Sequence, residues 1–215
     1  MKVQWLGHAS FLLTSDSGVR IITDPYQTGG ELKYAEVKGP ADAVTVSHEH
    51  HDHNYTAPIG GNPQIIRGAQ IVEVKRIKIK GVATSHDDNE GKDRGANTIF
   101  CFNVDGVNIC HLGDLGHKLS DRQVREIGPV DVLITPTGGK WAIDAKTAAE
   151  VANQLKARVI IPMHFRNEKC NFPIAGVDDF LTGKKNVIRS NSSEIEFKTG
   201  KWPAEPEIIV LKSAL

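Results

Sequence analysis

Apolar and polar positions in the first quarter of the chain follow the two-residue period of short β-strands. Strands are predicted over residues 3–6, 10–14, 19–23 and 43–46. Asp16-Ser17-Gly18 marks the turn between the second and third of these strands. Residues 26–41 are polar and contain two glycine-rich breaks, so we expect them to form a loop over one face of the predicted sheet.

The rest of the chain mixes the strand period with the 3.6-residue period of helices. Further strands are predicted over residues 71–74, 77–83, 98–104, 107–112, 130–134, 158–163 and 208–211. Helices are predicted over residues 120–127, 145–156 and 177–181. Asp105-Gly106 indicates a hairpin turn, and Asp144 caps the clearly amphipathic second helix. Together these elements predict an α/β fold.

Composition narrows the protein class without naming a function. The chain has 215 residues, and Lys plus Arg equals Asp plus Glu at 26 each, so the formal net charge is zero. Zero net charge argues against a strong electrostatic grip on nucleic acid or on an anionic membrane. We find no linker, repeat or low-complexity tract, and we therefore expect residues 1–215 to form a single domain.

The cysteines and the N-terminus predict a cytoplasmic location. There are three cysteines, without CxxC spacing, and the first residues lack the unbroken apolar core of a signal peptide. No apolar run approaches the length of a membrane-spanning helix. Cys101 and Cys110 face each other across the predicted hairpin. They either form a disulfide or remain two buried thiols, and a reducing cytoplasm favours the thiols.

A histidine-rich segment directly follows the predicted strand at 43–46. It reads Ser47-His48-Glu49-His50-His51-Asp52-His53-Asn54. His48 and His50 are two residues apart, so their side chains fall on the same side while the chain is extended. Asp52 and His53 come where the chain must turn. Neutral imidazoles with a carboxylate are typical ligands of zinc, manganese or iron, so we interpret this segment as a metal site.

Three further residues of the same types follow other predicted strands. His86, Asp114 and His164 each stand at the C-terminal end of an apolar run. Ligand-type residues at four strand ends predict that they meet along one rim of the sheets. Asp24 ends another strand, where it either supports a metal-bound histidine or simply forms a turn. The sequence assigns no firm role to His8, His51 or His111.

The order His48-x-His50-x-Asp52-His53, followed by His86, Asp114 and His164, resembles the metallo-β-lactamase superfamily. The details are similar to its lactonase-like branch, which includes ascorbate-6-phosphate lactonase. Shared segments are Trp5-Leu6-Gly7-His8-Ala9-Ser10, Thr23-Asp24-Pro25, Gly113-Asp114-Leu115-Gly116-His117 and Pro162-Met163-His164. The resemblance covers nearly the whole chain and implies an αββα four-layer sandwich with its site along one edge of the sheets.

The resemblance also implies a dinuclear site. His48, His50 and His86 would hold one divalent ion and Asp52, His53 and His164 the other, with Asp114 bridging them. Zinc is the expected metal, with manganese or iron as alternatives. A hydroxide shared by the two ions would attack the substrate. Asp52 would orient it and carry its proton, while His117 or His8 would protonate the leaving group.

Substrate contacts are expected from loops near the same rim. Arg94, Lys140 and Arg166 are cations suited to a carboxylate or phosphate, and Trp141 lies in the same loop as Lys140. The expected partner is a small-molecule substrate, with no membrane and no nucleic acid. A homo-oligomer is compatible with the sequence.

The leading interpretation is a metal-dependent hydrolase acting on a small ester, lactone or phosphate ester. Three alternatives remain open at this point. They are a phosphodiesterase or nuclease of the same fold, an iron-dependent redox protein, and a non-catalytic metal-binding module. The redox branch of the superfamily tends to carry a carboxylate where His50 stands, together with a flavin domain that this chain lacks.

Overall fold

Two β-sheets dominate the computed structural model, which describes all residues from 1 to 215. The strands are β1 (Lys2–Gly7), β2 (Ser10–Thr14), β3 (Arg20–Thr23), β4 (Gly39–Pro40), β5 (Ala43–Val46), β6 (Ile59–Gly60), β7 (Gln64–Arg67), β8 (Ile71–Val74), β9 (Ile77–Ser85), β10 (Ala96–Val104), β11 (Val107–His111), β12 (Val132–Pro136), β13 (Val159–Met163), β14 (Val187–Arg189), β15 (Glu194–Glu196) and β16 (Glu207–Val210). The helices are α1 (Asp121–Ile127), α2 (Ala145–Leu155) and α3 (Val177–Leu181).

The order of the strands brings distant parts of the chain together. The first sheet has six strands in the order β15-β1-β2-β3-β5-β7, and the second has eight in the order β14-β16-β13-β12-β11-β10-β9-β8. Strands β1, β3 and β5 run in the same direction in the first sheet. Strands β9, β11, β12 and β13 run in the same direction in the second. The C-terminal ends of these seven strands therefore lie along one rim of each sheet.

The main hydrophobic core lies between the two sheets and continues under the helices. Phe11 and Leu13 of the first sheet belong to the same buried cluster as Phe100 and Ile109 of the second. Burial of side chains of this size contributes roughly 1.5–3 kcal/mol each relative to exposure. This shared core fixes the spacing of the two rims.

The helices pack on the eight-stranded sheet and begin where capping residues predict. Helix α2 buries Ala148, Val151, Ala152 and Leu155 on one face. The Asp144 side chain accepts a hydrogen bond from the Thr147 N–H at 2.8 Å, and Ser120 forms a capping box at the start of α1. None of the three helices has the length and apolar character needed to cross a bilayer.

The outer face of the six-stranded sheet is covered by the loop between β3 and β4. Four of its side chains are fully or almost fully buried in a second hydrophobic cluster with Ile22, Val44 and Phe172: Tyr26, Leu32, Tyr34 and Val37. The α/β class and the sandwich of sheets are thus confirmed, and this loop takes the place of an outer helical layer on one side. The expected loop over one face is observed.

Several boundaries differ from the sequence prediction. The strand predicted at 130–134 lies at Val132–Pro136. Pro136 can be its last residue because the N–H group that proline lacks is not needed at the end of a strand. Strands β4, β6, β7, β14 and β15 were not predicted, because each is only two to four residues long. Cys101 lies opposite Cys110 as predicted, and all three cysteines are free thiols.

Candidate metal centre

The predicted ligand residues all follow the strand ends that line the common rim. His8 follows β1, Asp24 follows β3, and the segment from His48 to His53 follows β5 in the first sheet. His86 follows β9, Asp114 follows β11 by three residues, and His164 follows β13 in the second. Two contacts fasten the rims to each other. The Thr98 N–H donates to the Ser47 carbonyl at 2.9 Å, and Nε2 of His111 lies 2.8 Å from the Ala9 carbonyl oxygen.

Three rim residues adopt a backbone conformation that side chains other than glycine rarely take. The φ angles are +50° at His8, +38° at Asp24 and +50° at His164. Such strain is tolerated when the surrounding structure enforces it, and it is typical of functional sites. Here the positive φ turns the chain directly after each strand, so that the side chain faces the other rim residues.

Asp114 is positioned by a glycine and an asparagine. Gly113 has a φ of +56°, and a Cβ on it would lie only 2.4 Å from Oδ1 of Asn97. The same Oδ1 accepts the Asp114 N–H at 3.0 Å, while the Asn97 amide donates to the Leu112 carbonyl at 2.9 Å. The chain therefore needs glycine at 113 to deliver Asp114 to the centre of the site.

The structure brings all seven expected ligands together. Ligand atoms of His48, His50 and His86 lie within 4.8 Å of one another. A second group contains His8, Asp52, His53 and His164, and a third joins His48 and His53 to Asp114. The first two groups correspond to the two ligand sets that the family resemblance implies, with His8 as an additional member.

Asp114 lies between the two groups. Its Oδ2 is 3.2 Å from Nε2 of His164 and 3.4 Å from Nε2 of His53, which belong to one group. It is also 3.4 Å from Nε2 of His86 and 3.9 Å from Nε2 of His48, which belong to the other. A carboxylate in this place can be shared by two cations.

One buried carboxylate orients histidines of both groups. Oδ2 of Asp24 accepts hydrogen bonds from Nδ1 of His53 at 2.9 Å and from the Ser47 hydroxyl at 2.6 Å. Nδ1 of His48 lies 2.9 Å from the same hydroxyl oxygen. Since Nδ1 donates in both imidazoles, Nε2 is left as a lone-pair donor aimed at the centre, which is the arrangement metal-bound histidines adopt.

The buried polar atoms at the centre fit metal ions. Nε2 of four histidines and Oδ1 of Asp114 are buried without a hydrogen-bond partner: His48, His53, His86 and His164. Buried polar atoms are normally satisfied, and an unsatisfied one costs about 1–3 kcal/mol. Five such atoms converging on one place, all of types that ligate divalent ions, are accounted for by metal binding.

Electrostatics prepare these ligands for a cation. Burial lowers the pKa of His48 to about 3 and that of His8 to about 4, which keeps both imidazoles neutral. Burial opposes charge on His53 and Asp114 as well. Nevertheless the Asp114 and Asp52 carboxylates raise the pKa of His53, and the neighbouring His164 and His53 hold the pKa of Asp114 well below its usual range. The Asp114 carboxylate is thus charged and available to a cation, whereas Nε2 of His53 must release a proton before it can bind one.

His8 is a member of the site that the sequence left unassigned. It is 1% exposed, and its Nε2 lies 3.1 Å from Oδ2 of Asp52. Since the Asp52 carboxylate can only accept, the neutral imidazole donates this hydrogen bond and Nδ1 is left without a partner. Gly7 before it was the available sequence signal, and a glycine does not distinguish a site residue from a turn.

His117 does not reach the centre. Its Nε2 accepts the Ser85 N–H at 3.3 Å, and its Nδ1 donates to the Lys118 carbonyl at 2.7 Å. Both ring nitrogens are therefore used by the backbone, and neither is available to a leaving group. The expectation that His117 is catalytic is corrected accordingly: it holds the loop after Asp114 against the end of β9.

A cavity of about 470 Å³ opens at the metal centre. Its walls comprise Gly29, Gly30, Glu31, Leu32, His50, His51, Asp52, Arg94, Asp114, Trp141 and Phe172. This volume is typical of sites for small molecules. The exposed His51, to which the sequence assigned no firm role, forms part of the cavity wall.

Of the four residues expected to contact substrate, two line this cavity. Arg94 and Trp141 form part of its wall, and Lys140 lies beside them with its ammonium 5.1 Å from the centre of the Trp141 ring. Arg166 is exposed and does not line the cavity, and its backbone forms a bridge with Gly176. The expected contact at Arg166 is not supported.

Comparison with known proteins agrees with this geometry. The model of the beta-lactamase superfamily domain matches residues 2–164, which include every residue of the metal centre. The chain belongs to the beta-lactamase superfamily. The resemblance to the superfamily drawn from the sequence motifs is thereby confirmed.

Related sequences and a solved structure place the chain more closely. A UPF0173 metal-dependent hydrolase of Thermococcus onnurineus is 30% identical over 77% of this chain and 84% of its own length. Another, from Hyperthermus butylicus, is 26% identical over 98% of this chain and 96% of its own length. A crystal structure from Thermotoga maritima, described as a candidate Zn-dependent hydrolase of the metallo-beta-lactamase superfamily, is 38% identical with a TM-score of 0.80, covering 98% of this chain and 97% of that one. The expected enzyme class, a metal-dependent hydrolase, is confirmed.

Proposed function

We propose that this protein is a dinuclear hydrolase that cleaves a small ester, lactone or phosphate ester. The observation that carries the proposal is the position of Asp114, whose Oδ2 lies 3.2–3.9 Å from Nε2 of histidines in two separate ligand groups. A single ion would leave one group of histidines unused, whereas two ions use both groups and the shared carboxylate. The cavity beside them has the volume of a small-molecule site.

Zinc is the metal we propose, with manganese or iron as alternatives. His48, His50 and His86 would hold one ion, Asp52, His53 and His164 the other, and Asp114 would contact both. Imidazole and carboxylate ligands suit zinc, and the similar Thermotoga maritima protein is described as Zn-dependent. His8 lies close enough to the second group to join it or to support Asp52.

The chain's own residues then account for orientation and proton movement. When bound, the two ions supply an activated water and stabilise negative charge on the substrate. Asp52 lies on the cavity wall, where its carboxylate can accept the proton of the attacking water. The hydrogen bond from His8 fixes Oδ2 of Asp52 at 3.1 Å, so the carboxylate keeps one orientation. With His117 held by the backbone, Asp52 is also the group placed to return the proton to the leaving oxygen.

The same proposal includes the setting of the reaction. A small-molecule substrate fits the cavity, and three free thiols fit a reducing cytoplasm. The single-domain organisation and the absence of a membrane or nucleic-acid partner remain predictions from the sequence.

Metal content and turnover of Asp114 variants test the proposal. Protein purified without chelator and reconstituted with zinc should hold close to two ions per chain and should hydrolyse members of a panel of esters, lactones and phosphate esters. Asp114→Asn retains the shape of the side chain and removes its charge, so we expect loss of at least one ion and a fall in turnover of more than 100-fold. Cys170→Ala, a change in the second hydrophobic cluster, serves as the control with unchanged metal content.

The result also separates the alternatives. A reproducible content of one ion, with full activity of Asp114→Asn, would refute the dinuclear site. Cleavage of phosphodiesters alone would indicate the phosphodiesterase alternative. Iron uptake with oxygen consumption and no hydrolysis would indicate redox chemistry, and two bound ions with no turnover of any substrate would indicate a binding module.

A further inference from the structure

The guanidinium of Arg94 lies in the wall of the cavity without a protein partner. Its Nε is buried and makes no hydrogen bond, and no carboxylate oxygen lies within 4.0 Å of its nitrogens. This is unusual in an acidic neighbourhood, because Asp87, Asp88, Glu90 and Asp93 belong to the same loop. An arginine in such a place would ordinarily pair with one of them.

The loop itself occupies the Asp87 carboxylate. Asp87 is 8% exposed, and its two oxygens accept four backbone N–H groups, from Asn89, Gly91, Asp93 and Arg94, at 2.7–3.1 Å. These bonds fold the loop around the Asp87 carboxylate and hold the pKa of Asp87 below its ordinary value, although its burial acts in the opposite direction. The Arg94 backbone is therefore fixed by one of the four bonds, while its side chain stays free to face the cavity.

An aromatic ring supports the guanidinium from the other side. The Arg94 guanidinium carbon lies 5.7 Å from the centre of the Trp141 ring, within the range of a cation–π contact. Trp141 is in turn packed edge-on against Phe172, with ring centres 5.3 Å apart. Lys140, at 5.1 Å from the same ring, adds a second positive charge next to the first.

We propose that this arrangement is a binding site for an oxyanion of the substrate, a carboxylate or a phosphate group, held by Arg94 while the bond to be cleaved lies at the metal centre. Arg94 and Trp141 share one cavity with His50, Asp52 and Asp114, so a single small molecule can contact both places. The fork of a guanidinium matches the two oxygens of a carboxylate or phosphate. This inference rests on the proposed hydrolase function and specifies its substrate class as anionic.

Two other kinds of occupant are less compatible with the cavity. A neutral ester would displace water from the partly buried Arg94 guanidinium without offering it an anionic partner. The desolvation free energy of the guanidinium would then not be offset. A cationic substrate would meet Arg94 and Lys140 directly. The carboxylates of Asp52 and Asp114 face the cavity too, but they belong to the metal centre, and Glu31 is exposed at the mouth.

Binding of oxyanions to the zinc-loaded protein tests the inference without relying on turnover. Phenylphosphonate and benzoate are titrated calorimetrically into wild type, Arg94→Gln and Arg94→Lys. A charge-assisted hydrogen bond accounts for roughly 10- to 100-fold in affinity, so Arg94→Gln should weaken one or both probes by that factor and Arg94→Lys by less. Any direct contact of the probes with zinc is common to all three proteins and cancels in the comparison. Arg125→Gln, which removes the same charge from the exposed face of α1, should bind as wild type does.

Hydrolysis of a matched ester pair provides the second measurement. Wild type should cleave 4-nitrophenyl hemiglutarate, which carries a carboxylate, with a higher kcat/KM than the neutral 4-nitrophenyl pentanoate. Arg94→Gln should lower kcat/KM for the anionic ester about 10- to 100-fold, mainly through KM, and change the neutral ester less than threefold. In the binding experiment, the probe whose affinity falls more in Arg94→Gln, phenylphosphonate or benzoate, identifies the oxyanion that the site prefers.

The two measurements separate failure of this inference from failure of the hydrolase proposal. Equal binding of the probes by wild type and Arg94→Gln, or no binding to either, would overturn the oxyanion site. Cleavage of esters without preference for the charged one would do the same while the hydrolase proposal stands. Arg94-dependent binding without cleavage of any ester would support the oxyanion site and refute the hydrolase proposal.

Discussion

Nδ1 of His53 donates a hydrogen bond to the carboxylate of Asp24 over 2.9 Å, and neither side chain is exposed. Asp24 reaches His48 as well, through the Ser47 hydroxyl. One residue thereby fixes the tautomer of two histidines that belong to different ligand groups. Loss of this carboxylate should disturb both proposed metal sites at once, although Asp24 belongs to neither ligand group.

We predict that Asp24→Asn weakens the binding of both ions. The Asp24 carboxylate accepts from the Ser47 N–H through one oxygen and from the Ser47 hydroxyl and His53 Nδ1 through the other. An amide has only one acceptor oxygen, so its NH₂ group must face the donors on one of these two sides. Loss of such support typically costs 10- to 100-fold in metal affinity. The fold should persist, because asparagine tolerates the φ of +38° found here. Competition with a chromogenic chelator measures both affinities.

Ser47→Ala is the matched comparison for Asp24→Asn. It removes only the link to His48 and leaves the bond between Asp24 and His53, so only one of the two affinities should fall. Equal metal binding by wild type and Asp24→Asn would contradict the orienting role of Asp24.

We predict that His117→Ala retains its activity. The imidazole interacts with two backbone groups and lies outside the cavity, so kcat should stay within about threefold while the free energy of unfolding falls by roughly 1–2 kcal/mol for two lost hydrogen bonds. Steady-state kinetics and urea unfolding give the two values. A loss of more than 100-fold in kcat with normal metal content would show instead that His117 acts as the general acid.

We predict that His111 makes the metal-free protein less stable in weak acid. Burial lowers its pKa from 6.5, against the opposing effect of Asp24. The neutral ring also donates to the Ala9 carbonyl and accepts the Gly113 N–H. Below pH 6.5 the unfolded chain takes up a proton that the folded chain refuses. The stability from this group is therefore fully present above pH 6.5 and is lost as the pH falls, by up to about 1.4 kcal/mol per pH unit.

His111→Gln isolates this contribution from that of the other histidines. Glutamine offers an amide N–H to the same carbonyl and does not titrate. Urea unfolding of both chelator-treated proteins at pH 7.5 and pH 5.5 should show a loss about 1 kcal/mol larger in wild type. Equal losses in the two proteins would mean that His111 is not held neutral by the fold.

We predict that a chelator lowers the thermal stability of the protein but leaves its secondary structure intact. The two sheets and their core are built without the ligand atoms, whereas the unsatisfied Nε2 atoms at the rim gain partners only from metal. Ions present at 100 times their dissociation constant stabilise the folded state by about 2.7 kcal/mol. Circular dichroism before and after treatment, and recovery of Tm on adding zinc, test this. An unchanged Tm would show that the atoms are not metal ligands.

The sequence predicted which residues meet at the rim because each of them follows a strand end. A strand is recognisable from a few alternating residues, and once β5, β9, β11 and β13 were recognised, the polar residue that follows each one was visible. The weak points were short strands. Strands β14 and β15 have three residues each, and pairing with neighbours rather than intrinsic preference makes them extended.

Roles set by tertiary hydrogen bonds could not be predicted. His8 and His117 both follow glycine in motifs shared with the superfamily, and only the position of their ring nitrogens relative to Asp52 and to the backbone distinguishes them. The same holds for Arg94, whose lack of a partner depends on four amides converging on Asp87. Such information lies in the packing of loops, not in local pattern.

The loop that covers the six-stranded sheet contributes both to the cavity wall and to the hydrophobic packing of the fold. Leu32 is buried in the second hydrophobic cluster and also lines the cavity, and Gly29 and Gly30 continue the wall. A change at Leu32 therefore alters the cluster that also contains Tyr26 and Tyr34. Gly29 and Gly30 are exposed, but their φ angles of +125° and +58° strain any other residue. Among these neighbouring positions, exposed Glu31 alone can vary at little thermodynamic cost. New substrate preferences should thus arise first at Glu31, and at the other wall positions only in variants with stability in reserve.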